Sequence, residues 1–413
     1  MSKILVIILF FLQKIKIIIS STEVFQTLSD TGNKGAALTS FNNNLILLSS
    51  SKIFNVINNN YNLIQDNKDQ QTQTQLNSNF EIVESSINKV TKESTILIAE
   101  CDSATKKINL YNFNISAQLD SNNPKLIHSI QSQIYNNKIS LIKIGTDKYL
   151  LSYFISLNKL ENLVFKYTSY EGFEILKKFE NSGNFNNFIS CFLLYDQFPI
   201  CYYSYIRTIT ISSQPTDKHY QKIIALDTIF NRGIRIGDAD YTDSSNNTVN
   251  YDKIYFNKGI YLSDDYAIFC YMENDGNFKV TCDLRKLEIE FDSFTISYNS
   301  ICTIYTNNEC SYNANNLNNI DLIKVDDERF LFACIKSDNK PIIDLIKITN
   351  SFTLDSRQSL NINLEIKSTL NLFTHKLFTN NNHYGIIFDS NDNKVKYGYL
   401  NLPKCTKKEN KEI

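Results

Sequence analysis

Tryptophan is absent from the 413 residues, and only five prolines, eleven glycines, two methionines and four histidines occur. The histidines are scattered at His128, His219, His375 and His383, which leaves little from which to build a metal centre or a catalytic relay. Paired Cys-x-x-Cys spacing is missing, so a structural zinc site lacks its ligands. There is no Gly-x-Ser-x-Gly nucleophile elbow, and Gly32-Asn33-Lys34-Gly35 is too short for a phosphate-cradling loop. Basic and acidic residues nearly cancel, 42 against 43, for a formal net charge of −1. Without a basic surplus, nucleic acid is excluded as the default partner. No stretch has the apolar period of a long amphipathic helix, and Leu317–Ile323 is ambiguous between helix and strand.

What is present suits strands and turns. Ile, Val, Tyr, Phe and Thr favour extended backbone. The 53 asparagines favour turns, because Asn tolerates left-handed conformations and bonds to its own backbone. Asn, Ile, Lys and Tyr also have A/T-rich codons, so genomic bias contributes to this composition. An apolar run leading into a polar turn recurs about seven times. Leu45–Leu48 meets Ser50–Lys52, and Ile96–Ala99 meets Asp102–Lys106. Leu150–Ile155 precedes Asn158–Asn162, and Ile189–Leu194 precedes Tyr195–Gln197. Tyr266–Tyr271, Phe330–Ile335 and Tyr384–Phe388 precede Glu273–Asn277, Ser337–Lys340 and Asp389–Lys394. A recurring hairpin predicts an all-β fold, a seven-bladed β-propeller spanning residues 23–403, with the blade count open by one either way. Tyr397–Leu400 and Lys279–Cys282 read as alternating strands, and Val24–Ser40 as an outer strand closing the ring.

Residues 1–22 read as a signal peptide: Lys3, the apolar run Ile4–Leu12, then Ile19-Ser20-Ser21-Thr22 as a cleavage region. The run is too short to span a bilayer, and Gln13, Lys14 and Lys16 interrupt it. An uncleaved anchor and a buried strand are the alternatives. Cysteine usage points the same way. Cys191 and Cys201 flank one turn symmetrically and Cys270 and Cys282 another, as disulfides across hairpins would require. Cys302 and Cys310 are spaced to close a small loop. Cys101 and Cys334 pair only if the fold brings them together, and Cys405 is left over before the charged tail, residues 404–413. The competing reading is a set of buried thiols in a cytosolic protein. Asn114-Ile115-Ser116 and Asn246-Asn247-Thr248 are glycosylation sequons, at Asn114 and Asn246.

Gln214–Lys258 occupies the longest interval between turns and reads as a decorated loop or extra strand pair, able to carry a binding face. Its candidates are Arg232, Arg235, Asp238, Asp240 and Asp243. Three of these are spaced like calcium ligands. An EF-hand register starting at Asp238 nevertheless puts Asp243 where glycine is needed and Val249 where the closing glutamate is needed. An ordinary acidic turn explains them better. A sialidase-like hydrolase needs an arginine cluster and catalytic acids. The arginines are Arg207, Arg232, Arg235, Arg285, Arg329 and Arg357, and nothing in the sequence shows that they converge. Ser337-Asp338-Asn339 and Ser390-Asn391-Asp392-Asn393 faintly echo sialidase-type turns but lack their glycine and aromatic residue.

The leader, the Asn/Ile/Lys/Tyr-rich composition, the repeated hairpins and Cys405 together resemble ciliate-type secreted or cell-surface proteins with an N-terminal propeller-like region. The resemblance covers about Glu23–Pro403 and rests on composition and repeat style. It implies a following cysteine-rich region that this chain does not contain, so membrane attachment would need a missing or separate anchor. The expected function is a secreted or cell-surface binding module, with a protein or glycan ligand on one face of the ring and no cofactor. A glycan hydrolase and a structural coat or matrix protein are the alternatives.

Overall fold

The computed structural model describes most of residues 26–402. The omitted connections include 67–79, 116–124, 132–138, 228–234, 241–253 and 312–319. The side chains of residues 26–80, 206–220 and 227–257 are also outside the description. The leader, Asn246, Arg232, Asp243 and Cys405 lie outside the described residues.

β1 (Gln26–Ser29) opens the chain. Blade 1 is β2 (Ala36–Phe41), β3 (Asn44–Ser49), β4 (Lys52–Ile57) and β5 (Asn60–Asp66). Blade 2 is β6 (Phe80–Ile87), β7 (Ser94–Asp102), β8 (Lys107–Ile115) and β9 (Lys125–Gln131). Blade 3 is β10 (Ser140–Gly145), β11 (Lys148–Ser156), β12 (Lys159–Thr168) and β13 (Gly172–Ser182). Blade 4 is β14 (Asn184–Leu194), β15 (Phe198–Ile211), β16 (Gln214–Asp227) and β17 (Arg235–Asp240). Blade 5 is β18 (Ile254–Ser263), β19 (Tyr266–Asn274), β20 (Phe278–Glu290) and β21 (Thr295–Asn307). Blade 6 is β22 (Ile320–Lys324), β23 (Arg329–Ile335), β24 (Pro341–Ile348) and β25 (Leu354–Ser359). Blade 7 is β26 (Ile366–Lys376), β27 (Asn382–Ser390) and β28 (Val395–Leu400), completed by β1.

These are seven four-stranded antiparallel sheets. The first strands β2, β6, β10, β14, β18, β22 and β26 neighbour one another in that order, and β26 returns to β2. The chain is a seven-bladed β-propeller. Closure comes from β1, which pairs Gln26 with Tyr397 and Thr27 with Lys396. The expected closing strand over Val24–Ser40 is therefore split: its first part completes blade 7 and its last part starts blade 1. Among the described residues there is no helix, and Ile320–Ile323, the described part of Leu317–Ile323, lies on strand β22.

The core lies between blades rather than within them. One cluster joins Ile268, Met272 and Leu284 of blade 5 to Phe330, Phe332 and Ile346 of blade 6. Others join blades 2 and 3, 3 and 4, 4 and 5, and 6 and 7. Blades 3 to 6 are thus covered on both faces, and the described parts of their middle strands are largely buried. The burial of β11 and β23 is almost continuous. Alternation is correspondingly weak in β28 and in Lys279–Cys282. Each fully buried Leu, Ile or Phe contributes roughly 1.5–3 kcal/mol.

Strand direction alternates, so the turns between second and third strands and the crossings between blades share one face, here the upper face. The other turns occupy the lower face. The second strands end at Ser49, Asp102, Ser156, Ile211, Asn274, Ile335 and Ser390, about 53 to 63 residues apart. Six of the seven turns read from the sequence are these upper turns. Tyr195–Gln197 is a lower turn of blade 4, whose upper turn follows Ile211. The same misplacement made Gln214–Lys258 look like an insertion. It holds β16 and β17, the regular outer strands of blade 4, and the start of β18.

Two of the three expected disulfides are present. Cys191 faces Cys201 and Cys270 faces Cys282 across adjacent strands, with Cα separations of 4.2 and 4.0 Å. Cys310 pairs with Cys334 instead of Cys302. Extended backbone carries Cys302 about 16 Å below the top of β21 at 3.3 Å per residue, too far to bridge. Cys310 lies just past that end, beside Lys336 of blade 6. Cys101 is in blade 2, away from Cys334, and Cys101 and Cys302 are thiols. Three disulfides fit an oxidising compartment. No helix among the described residues is long and apolar enough to cross a membrane.

Candidate functional site

The inner strands first have to satisfy their own backbone. A first strand has no partner on the channel side, so its amides need acceptors. Side chains from the preceding blade supply them. Ser140 Oγ accepts from Cys191 N at 3.1 Å, and Ser190 Oγ accepts from Gly259 N at 3.2 Å. Asp321 Oδ2 accepts from Leu372 N at 2.7 Å. At this level Lys258 pairs with Asp321 at 3.0 Å. Its ammonium is stabilised against burial by Asp321 and Glu81, which raises its pKa above the usual lysine value. These polar residues tie neighbouring blades together.

Buried carboxylates extend the same logic outward. Asp283 accepts from Tyr271 Oη at 3.2 Å, Thr303 Oγ1 at 2.9 Å and Arg285 Nη2 at 3.2 Å. Arg285 is fully buried, bonds to Gln221 of blade 4 at 2.6 Å and lies 4.9 Å from the Phe269 ring centre. Asp344, also fully buried, accepts from Tyr305 Oη and Ser359 Oγ, both at 2.6 Å, and pairs with Arg357 at 2.9 Å. Burial, reinforced by Asp344, pushes the Tyr305 hydroxyl well above its usual pKa.

The upper face of blades 5 and 6 opens into two adjoining clefts. The larger, about 830 Å³, lies between the β19–β20 turn, the strand-to-blade crossing at 308–311 and the β23–β24 turn. Its lining includes Glu273, Phe278, Lys279, Asn308, Ser337 and Asp338. The smaller, about 420 Å³, lies over the start of β24 and the end of β25, lined by Lys340, Pro341, Arg357, Leu360 and Ile362. Glu309 and Lys336 border both, and their ion pair forms the divide. The Glu309 carboxylate holds the Lys336 ammonium above its usual pKa.

The walls are fixed by ordinary backbone chemistry. Cys310 anchors the crossing through its disulfide to Cys334, and Ser311 N donates to Ile335 O at 2.9 Å. Lys336 N donates to Lys340 O at 2.8 Å, closing a turn in which Asn339 has a positive φ of 64°. Pro341 takes the first position of β24, where a proline is tolerated. Thr281 Oγ1 orients Glu273 at 2.9 Å. The result is a preformed polar recess with one aromatic wall.

The residues singled out from sequence are dispersed. Arg235, Asp238 and Asp240 lie on β17, an outer strand of blade 4, opposite Asp227, Ile224 and Lys222. They belong to a strand rather than to a binding loop. Among the described side chains the arginines do not converge. Arg285 is buried against Asp283, Arg329 pairs with Asp326 at the lower turn of blade 6, and Arg357 pairs with Asp344. Asn114 is near the end of β8, opposite Thr95. Ser337-Asp338-Asn339 does lie in the cleft wall, as part of the β23–β24 turn. Sequence reasoning passed over Glu309, Lys336 and Lys340; the crossing out of blade 5 brings Glu309 against the blade 6 turn that holds both lysines. Among the described residues no group of His, Cys, Asp and Glu is arranged to hold a metal ion.

No family model and no curated protein matches the chain. Solved structures do resemble it in fold. The BP39L lectin from Burkholderia pseudomallei superposes with a TM-score of 0.58 at 7% identity, covering 90% of this chain and 96% of that one. Drosophila semaphorin 2a gives 0.49 at 8% identity, covering 92% and 75%. The α-L-arabinanase of Penicillium chrysogenum gives 0.45 at 8% identity, covering 92% and 97%. The lectin likeness supports the propeller architecture alone.

Proposed function

We propose that the chain is an extracellular recognition module that holds a saccharide ligand in the upper clefts of blades 5 and 6. The observation that carries this is the preformed 830 Å³ recess, polar, open and bounded by Phe278 on one side. Hydroxyl-rich ligands need many fixed donors and acceptors with an apolar surface to pack on, and the recess offers both. The disulfides and the leader-like N-terminus favour an oxidising, secretory destination. Hydrolysis is the weaker reading. A glycosidase needs a general acid in surroundings that keep its proton. The cleft carboxylates instead have ammonium partners: Glu273 with Lys279 at 3.2 Å, Asp338 with Lys340 at 3.7 Å, and Glu309 with Lys336. The likeness to a lectin is one of fold, and it guides the choice of probe.

The test is a saccharide array probed with the full chain, alongside a Ser337→Tyr variant that fills the larger cleft from an exposed turn. Binding by the wild type that Ser337→Tyr abolishes is expected. Binding that survives the substitution, or no binding to any saccharide, overturns the proposal.

A further inference from the structure

We infer that the smaller cleft is an anion subsite, taking a carboxylate or sulfate group carried by the saccharide whose body lies in the larger one. This rests on the reading above and adds its charge chemistry. The two clefts are unlike. The larger has three carboxylates, Glu273, Glu309 and Asp338, against two lysines, Lys279 and Lys336. The smaller has three cations, Lys336, Lys340 and Arg357, against Glu309.

The cations differ in how they are held, and the difference suits a ligand. Arg357 is oriented before any ligand arrives. Asp344 fixes it at 2.9 Å, and its guanidinium lies 5.0 Å from the Tyr305 ring centre. Its side chain is nevertheless 40% exposed, whereas Asp344 is fully buried and cannot follow it into solvent. A planar fork held in this way matches a carboxylate or sulfate in two places. Lys340 is the opposite case. Among the described residues its ion-pair partner is exposed Asp338 at 3.7 Å, a contact worth little, so an incoming anion displaces it at small cost. Pro341, Leu360 and Ile362 border the same cleft and give it an apolar side on which a sugar ring can pack. Lys336 sits at the divide, within reach of an anion that enters across it.

The experiment titrates the full oxidised chain with three oligosaccharides of equal length, one sulfated, one uronate-containing and one neutral, at low and high salt. It is repeated with Lys340→Glu and with Lys148→Glu, the same charge change at an exposed lower-face position. The expected result is at least about tenfold tighter binding of an anionic saccharide than the neutral one, weakening with salt. Lys340→Glu removes that preference and Lys148→Glu leaves it. Preference for the sulfated or the uronate ligand tells which anion is the source. If the neutral saccharide binds as tightly as the anionic ones, or the anionic preference persists in Lys340→Glu, the subsite is refuted while the saccharide reading stands. If no saccharide binds, both fall.

Discussion

Replacing Arg285 by methionine tests whether the blade 4–blade 5 contact depends on a buried charge network. The guanidinium is fully buried, bonded to Gln221 at 2.6 Å and Asp283 at 3.2 Å, and packed against Phe269. Hydrogen bonds to charged groups contribute about 1.5–3 kcal/mol each, and removing one partner of a buried pair costs about 3–5 kcal/mol. Asp283 keeps Tyr271 and Thr303 as donors at 3.2 and 2.9 Å, which puts the expected loss near the lower end, about 3 kcal/mol. Methionine retains most of the packing volume, so the loss reports charge rather than a cavity. Adding Asp283→Asn removes the stranded charge, and the double variant is expected to regain about 2 kcal/mol. Urea unfolding of the oxidised chain, followed by far-ultraviolet circular dichroism, gives both numbers. A loss below about 1 kcal/mol for Arg285→Met, or a double variant less stable than the single, refutes the argument.

Non-reducing peptide mapping is expected to link Cys310 to Cys334 and leave Cys302 alkylatable; a Cys302–Cys310 peptide would contradict the placement of β21. Replacing both Cys310 and Cys334 by serine opens a 24-residue loop and is expected to cost about 3 kcal/mol by chain entropy, read as a shift in the unfolding midpoint. Gly385→Ala is expected to destabilise by about 1–3 kcal/mol, since an added Cβ would meet Phe373 and lie 2.6 Å from Gly398 O; an unchanged melting temperature would show that this strand pair is looser than described. Burial raises the Glu161 pKa against the opposing pull of Lys178. The native state therefore binds this proton more tightly than the unfolded chain, and the ionised carboxylate subtracts stability at neutral pH. The penalty fades as pH falls through the raised native value towards the ordinary carboxylate range. Glu161→Gln should be more stable than wild type at neutral pH with the gap closing under acid, and a less stable variant at neutral pH would overturn the sign.

The architecture was legible because a propeller buries both faces of each blade. Second strands such as Leu150–Phe154 and Phe330–Ile335 become near-continuous apolar runs, the first broken only by buried Ser152, and each ends in a polar upper turn, so one scan finds most blades. Blade 4 escaped because β15 and β16 are 14 residues each and polar towards their shared turn, as in Ser212-Ser213-Gln214-Pro215. Its shorter lower turn, Tyr195–Gln197, resembles the repeat instead, which makes Gln214–Lys258 read as an insertion.

Two disulfides were readable and the third was not, for a geometric reason. Cys191–Cys201 and Cys270–Cys282 are symmetric about their own turns, so hairpin pairing alone makes them face each other. Cys310–Cys334 joins a crossing to the next blade, and no local symmetry marks such a pair. The clefts are hidden by the same principle. Glu309 belongs to the crossing out of blade 5, Lys336 and Lys340 to a turn of blade 6, and Arg357 to the end of its outer strand. Their meeting depends on how blades 5 and 6 abut, which the Cys310–Cys334 bridge helps to fix. Hairpin chemistry is local and can be read along the chain. Recognition chemistry in a ring of blades is built at the seams, where residues tens of positions apart become neighbours only after the ring has closed.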